Sequence, residues 1–291
     1  MSKPAIIGVI GAFSLVAGCA GPEVSVNESG SKVDGAASTV TSILNAGVQA
    51  QMHRANGTAK FLFDPLYDNH FGSLAEMDAA LIDAIISGQS PYDGVDAVFV
   101  SHGHGDHFSA EYLNRMMAAQ SDVLVIAPEP AVEAMLGHTL WQASFAERIT
   151  PVALKNGDAP LTFEIAGANV EALRTPHAGW PDRHAAVHNI TYRVTGSDGA
   201  RIMHLGDADP AEEHFAPHSE FFQAKRTGLA MVPFWFLNAN VPASRIDETL
   251  NTQSAVGIHV PVKTPQWLID SGKTYFSEPG KMLEIPVTSN E

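Results

Sequence analysis

The sequence predicts an α/β (α+β) fold in which two β-sheets are covered by helices. Three observations carry that reading. Strand-length apolar runs bounded by Gly, Pro, Asn or Asp recur through both halves of the chain. Segments with apolar residues at helical spacing are interspersed among them rather than set apart. Hydrophobic residues make up 45% of the chain against 17% charged, which is enough apolar material for a sizeable core.

Taken in order, Thr39 to Lys60 reads as strands and a hairpin interrupted by Asn45, Gly47, Asn56 and Gly57, and Phe61-Leu62-Phe63 as a strand ending at Asp64-Pro65. From Leu74 to Ser87 the apolar residues Leu74, Met77, Ala80, Leu81, Ala84 and Ile85 fall at helical spacing, with Gly88 as the stop. Val95 to Val100 is a short buried strand that runs into a His-rich turn. Ser109 can cap the helix that follows, whose apolar face is Tyr112, Leu113, Met116 and Met117. Val123 to Ala127 is a strand and Pro130 to Gly137 a helix. Further strands fall at Ile149 to Leu154, Leu161 to Ile165 and Val170 to Arg174. Asn189 to Thr195 and Arg201 to Leu205 flank Gly196-Ser197-Asp198-Gly199, a hairpin turn. Strands near Leu229 to Phe236 and Val256 to Val260 alternate with helical stretches near Ala243 to Leu250 and Gln266 to Asp270.

The chain of 291 residues suits one large domain or at most two. Lys and Arg number 17 against 32 Asp and Glu, a net charge of −15, so no nucleic-acid partner is expected. There are 13 His and a single Cys. One Cys excludes a disulfide framework within the chain and any multi-Cys zinc site, so a metal must be held by imidazole and carboxylate.

That Cys closes a short uncharged apolar run from Pro4 to Ala17, of signal-peptide length and too short to span a membrane. The end of the run, Leu15-Val16-Ala17-Gly18-Cys19, resembles a bacterial lipoprotein lipobox. The resemblance implies removal of residues 1–18 and acylation of Cys19 with chains such as palmitate. The membrane is then reached through the lipid anchor alone, on the periplasmic face of a bacterial cell envelope. Ala20 in place of Asp favours the outer membrane. Residues 19–35, rich in Gly, Ser, Glu and Asn, read as a flexible tether, and 36–291 as the folded domain.

The strand Ala97-Val98-Phe99-Val100 leads directly into Ser101-His102-Gly103-His104-Gly105-Asp106-His107. A borderline metal ion wants neutral imidazoles and carboxylates converging within ~2 Å of a point, and a tight Gly-containing turn after a strand aims several side chains one way. Gly103 and Gly105 remove bulk between the histidines.

This run resembles the His-x-His-x-Asp-His signature of the metallo-β-lactamase superfamily. The resemblance implies a four-layer αββα sandwich carrying one or two metal ions at one edge of the sheets. Further elements match in order: Asp64 after its strand, His177 in Arg174-Thr175-Pro176-His177, Asp207 in Leu205-Gly206-Asp207, and His259 in Gly257-Ile258-His259-Val260-Pro261. Carried over residue by residue, His102, His104 and His177 bind one metal, Asp106, His107 and His259 the second, and Asp207 bridges both. His184 or His188 stands close enough to replace His177. Asp64 reads either as a residue that orients the site or as a plain strand-end turn, and His204 as core or as a support of the site. His53, His70, His138, His214 and His218 read as surface histidines.

The resemblance implies two divalent ions, zinc as usual in the family, with Mn2+ or Fe equally suited to the ligands. Asp106 and Asp207 are then the catalytic carboxylates of a hydrolase that uses a metal-bridging hydroxide on an ester, lactone or phosphodiester. Its substrate is a small molecule or lipid-like. No Gly-x-Ser-x-Gly elbow or Gly-rich phosphate loop is present, and Cys19 lies in the lipobox, which excludes covalent thiol catalysis. The Gly-Asp bridge and the Val-Pro turn after His259 are similar to the lactonase and phospholipase D-like branch, except that Asn45-Ala46-Gly47 has Asn where that branch often has His. The alternatives are a catalytically idle metal-binding lipoprotein and a β-lactamase-like amide hydrolase. Phe234-Trp235-Phe236 either puts aromatic side chains at the mouth of the site, for an acyl or lipid-like substrate, or is a strand with two buried faces.

Overall fold

The computed structural model describes residues 37–288. The expected signal segment 1–18, the lipidation site Cys19 and the 19–35 tether lie outside the described residues. Among the described residues no helix is long and apolar enough to cross a membrane.

The first half of the chain builds a seven-stranded sheet. Its members are β1 (Thr39–Leu44), β2 (Gly47–Arg54), β3 (Gly57–Phe63), β4 (Ala97–Phe99), β5 (Leu124–Pro128) and β6 (Ile149–Val152), joined at the β1 edge by β13 (Met282–Glu284) from the end of the chain. Helices α1 (Ala79–Ser87), α2 (Ala110–Ala119) and α3 (Glu129–Gly137) fall between these strands. The second sheet has six strands: β7 (Leu161–Ile165), β8 (Ala168–Arg174), β9 (Ile190–Thr195), β10 (Arg201–His204), β11 (Thr227–Pro233) and β12 (Thr252–Ile258). Helices α4 (Ser219–Ala224) and α5 (Gln266–Asp270) accompany it.

Side-chain alternation along the strands produces the layers. In β3 and β4, Phe61, Phe63, Ala97 and Phe99 enter the core between the sheets, while Leu62 and Val98 face the helices outside. In β10 and β11, Ile202, Leu229 and Met231 enter the same central core, while Met203, Ala230 and Val232 face the opposite way. Ile85, Leu113, Met116 and Met135 of α1–α3 cover the first outer face. Phe221 and Phe222 of α4 and Leu268 of α5 cover the second. The result is the four-layer αββα sandwich.

Three local readings change. The helix after Leu74 begins only at Ala79, because the Asp78 side chain accepts a hydrogen bond from the Leu81 amide and caps it there. Leu74 and Met77 remain buried without being helical. Phe234–Leu237 is a 3-10 turn rather than the end of a strand. His218 is buried rather than on the surface.

Strand directions gather one end of the molecule. β3, β4 and β5 are mutually parallel, as are β10, β11 and β12. β8 is related to β10 by two antiparallel steps, so it runs the same way. The carboxyl ends of β3, β4, β8, β10 and β12 therefore lie at one edge, where open α/β sheets collect ligands.

Candidate metal centre

Each residue of the site leaves a strand end. Asp64 follows β3, the run 102–107 follows β4, His177 follows β8, Asp207 follows β10 and His259 follows β12. His177 is set beside Asp207 by a short antiparallel bridge past the strand ends, in which Ala178 N–H donates to Asp207 O at 2.8 Å and Asp209 N–H to Pro176 O at 2.8 Å.

Two groups of donor atoms result: His102, His104 and His177, and Asp106, His107, Asp207 and His259, each within 4.8 Å of one another. Asp207 reaches both. Its Oδ1 is 3.2 Å from His107 Nε2, and its Oδ2 is 3.3 Å from His259 Nε2 and 3.6 Å from His177 Nε2. His102 Nε2 and His104 Nδ1 are 3.1 Å apart, and His259 Nε2 and Asp106 Oδ2 3.0 Å. His184 lies beside this constellation, with its ring 4.6 Å from His177 and 5.3 Å from His104, but does not belong to either donor group.

These residues fit a divalent cation. Atoms ~2.1 Å from one ion at a tetrahedral angle lie about 3.4 Å apart, close to the spacings above. Asp106 Oδ1, His107 Nε2, His177 Nε2 and Asp207 Oδ1 are all buried without a hydrogen-bond partner. His107 Nε2 and Asp207 Oδ1 face each other but are too poorly aligned to bond. Four orphaned polar atoms at one place are costly unless something positive sits among them.

The imidazole tautomers are set from behind. Asp64, itself buried, accepts from Ser101 N–H at 2.7 Å and Ser101 Oγ–H at 2.6 Å, and its Oδ2 lies 2.8 Å from His107 Nδ1. That contact holds the His107 proton on Nδ1 and leaves Nε2 for the centre. Ser101 Oγ lies 3.0 Å from His102 Nδ1, and Ala178 O lies 2.8 Å from His177 Nδ1. His204 is a core residue. It stacks on Phe63 at 5.4 Å, its Nε2 faces Ala46 O at 3.0 Å, and its Nδ1 accepts from Gly206 N–H.

Burial, followed by the neighbouring imidazoles, holds His102 well below its usual value, and burial pushes His177 down to about 4. Both are neutral imidazoles, the form that binds metal. Burial also pushes His107 down, but Asp207 and Asp64 more than offset it and leave it raised, so a proton and a cation compete for the same place. For Asp207 and Asp106, burial pushes the carboxyl up and the surrounding histidines outweigh it, so both are held ionised.

Three supporting residues escaped sequence reasoning. Asn189 is fully buried; it donates to Thr175 Oγ1 and Leu205 O, both at 3.0 Å, and accepts from Asp207 N–H at 2.9 Å. Ser101 was visible in the motif, but its role was not. Asn45 donates from Nδ2 to Asp106 O at 2.7 Å and its backbone carbonyl accepts from His259 N–H at 3.1 Å, with a left-handed φ of 52° that Asn tolerates. The interruption at Asn45 is thus a brace for two members of the second group. Asn45→Gly, which keeps the backbone freedom and removes the amide, is expected to weaken cation binding at that group by about 10–100-fold in calorimetric titration.

Of the two motif glycines, a Cβ at Gly105 would fall 3.0 Å from Asn69 Cβ, whereas one at Gly103 meets open space, so only Gly105 is needed for room. Gly206 is the tightest position near the site. A Cβ there falls 2.4 Å from Asn189 Oδ1 and 2.6 Å from Ser101 Cβ, at a φ of +55°. Gly206→Ala is expected to cost about 2–4 kcal/mol, read as a fall in the denaturation midpoint.

Comparison with known proteins bears on the fold and the family. A metal-dependent hydrolase of the UPF0173 group from Agrobacterium fabrum strain C58 is 23% identical over 159 residues, 53% of this chain and 58% of that protein. The chain therefore spans less than two thirds of that relative. Among solved structures, an isothiocyanate hydrolase from Delia radicum gut bacteria superposes with a TM-score of 0.54 at 16% identity, covering 85% of this chain and 99% of the other. Zn2+-bound PqqB from Methylobacterium extorquens gives 0.52 at 12% identity, covering 82% and 87%. These two likenesses concern the fold. The family model described as the beta-lactamase superfamily domain matches residues 60–265, and the chain belongs to that superfamily.

Proposed function

We propose that the protein is a metal-dependent hydrolase holding two divalent cations, most simply Zn2+, and cleaving an ester, lactone or phosphodiester. The observation that carries this reading is Asp207, whose two carboxylate oxygens face His177 of one donor group and His107 and His259 of the other. Divalent ions held there supply an activated water and polarise the bond to be cleaved. His102, His104 and His177 would hold one ion and Asp106, His107 and His259 the other, with Asp207 shared.

The remaining chemistry belongs to the chain. Asp64 keeps the His107 proton on Nδ1, and the Ala178 carbonyl does the same for His177, so both Nε2 atoms stay available without rearrangement. Asp106 and Asp207, held ionised, balance the positive charge of the site. Within the superfamily we place the chain near the lactonase and phospholipase D-like branch, on the shared Gly-Asp bridge and the Val-Pro turn after His259. We further propose lipid attachment at Cys19 and a periplasm-facing position in the envelope, on the lipobox resemblance.

The test uses purified protein assayed for bound metal and for turnover of aryl ester, lactone, aryl phosphodiester and cephalosporin reporters, before and after chelation. Chelator-sensitive turnover of at least one of the first three is expected. Bound metal without chelator-sensitive turnover of any reporter would make the protein a metal binder and not an enzyme. Turnover of the cephalosporin alone would make it an amide hydrolase.

A further inference from the structure

From the side chains that frame the metal centre we infer that the substrate carries an uncharged apolar acyl chain and is a neutral ester or lactone. This rests on the hydrolase reading above. Trp235, in the 3-10 turn after β11, is part-buried, with its ring 5.4 Å from the His259 ring at 71°. Its Nε1–H donates at 3.0 Å to the carbonyl of Ala208, the residue after Asp207. The indole is thus fixed between two strand ends that deliver members of the second donor group, and it forms one wall beside them.

Two further apolar residues belong to loops tied to the same place. The loop after Asp64 is fastened to the metal-site turn by Asp68 N–H and Asn69 N–H, which both donate to Gly105 O at 3.0 and 2.9 Å. Two residues on, Phe71 is 60% exposed. Val262, three residues after His259, is 71% exposed and donates its N–H to Ser73 O at 2.9 Å, joining the two loops. Both side chains are mostly exposed, on loops tied to the turn that carries the donors and to His259, where an apolar chain could cover them.

Charge separates the candidate substrates. The seven donors find their ion-pair partners among themselves and Asp64, with no Lys or Arg recorded against them among the described residues. Asp68 and Lys263 give the two loops charges of opposite sign, and the chain carries −15 overall. The two divalent ions would attract a phosphodiester, but no Lys or Arg among the described residues is ion-paired at the donors to hold its charge as well, whereas an acyl chain gains from every methylene it buries.

The experiment measures kcat/KM for p-nitrophenyl acetate, butyrate, hexanoate and octanoate below their micellar concentrations. It uses the metal-loaded full chain and its Trp235→Ala, Trp235→Phe and Phe71→Ser/Val262→Ser variants, and checks metal content and melting for each. Roughly tenfold or greater gain from acetate to octanoate is expected for the unmodified protein. That gain should flatten in Trp235→Ala and in the double variant and return in part in Trp235→Phe. A flat series in the unmodified protein, or an undiminished gain in folded, metal-loaded Trp235→Ala and double variants, overturns the inference. So does faster turnover of bis(p-nitrophenyl) phosphate than of any ester. Calorimetric binding of acetate through octanoate separates the two readings. Tightening with chain length but no turnover of any reporter leaves the apolar frame standing and removes the hydrolase, while turnover with flat binding does the reverse. Loss of binding to phosphatidylglycerol vesicles in the double variant, with the ester series unchanged, would assign Phe71 and Val262 to a lipid surface and overturn their part in substrate recognition.

Discussion

Asp207→Ala is expected to weaken both cation sites together and to lower chelator-sensitive turnover by about 10^3-fold or more. Stabilisation by a bound cation is worth several kcal/mol in the transition state, and each ~1.4 kcal/mol is a factor of ten in rate. The joint loss follows from position, since Oδ2 of this one carboxylate lies 3.6 Å from His177 and 3.3 Å from His259 and Oδ1 lies 3.2 Å from His107, so it reaches both donor groups. His104→Ala and His259→Ala give the contrast, because each removes a donor from one group only. Metal titration of the three variants distinguishes the patterns. Loss of a single site in Asp207→Ala would mean that the carboxylate is not shared.

The largest stability effect is expected away from the metal centre. Arg193, fully buried on β9, forms a two-pronged ion pair with Glu171 of β8, Nε to Oε2 and Nη2 to Oε1, both at 2.9 Å. It also donates to Phe221 O at 2.8 Å and lies 3.9 Å over the Phe221 ring, so the pair anchors α4 to the outer face of the second sheet. Glu171→Gln leaves a buried guanidinium facing a neutral amide and is expected to cost about 3–5 kcal/mol in equilibrium unfolding. Replacing both partners, as Glu171→Leu with Arg193→Met, should recover most of that loss, because the penalty belongs to the unpaired charge.

The same pair has a pH signature. Burial pushes the Glu171 carboxyl up, but Arg193 and then Lys225 more than offset it, so its folded-state value lies below the usual carboxylate range. A depressed carboxyl favours the folded state above its unfolded value of ~4.3, and that contribution disappears as pH falls through the folded value. Unfolding curves between pH 7 and 3 should show a smaller acid loss in Glu171→Gln than in the unmodified protein.

Much of the candidate site was legible in the chain because its donors leave strand ends in tight clusters. The run from His102 to His107 announces itself by density of ligand types, and His177, Asp207 and His259 by following apolar strands. The choice between His177 and His184 was not legible, since both rings reach the cluster and only the bridge past β8 and β10 separates them. Asn45, Ser101 and Asn189 act through hydrogen bonds to residues far away in sequence, and no local pattern encodes such partners. In the fold, period-two alternation carried the long strands. The short elements α4 and β13 went unread. Arg193 was hidden because a charged residue inside a strand reads as solvent-facing until Glu171 and Phe221 are seen to cover it. Phe234-Trp235-Phe236 divides between its two readings, with Phe236 buried in the core and Trp235 at the metal centre, in a 3-10 turn that neither reading contained.

If Asp207 joins two cation sites in one chain, the metal stoichiometry must show it. Native mass spectrometry of the full chain, loaded with Zn2+ and exchanged into volatile buffer, measures it directly. Two Zn2+ per chain are expected, with one retained in His104→Ala and in His259→Ala. A single Zn2+ per chain in the unmodified protein, or two retained in either His variant, would contradict it.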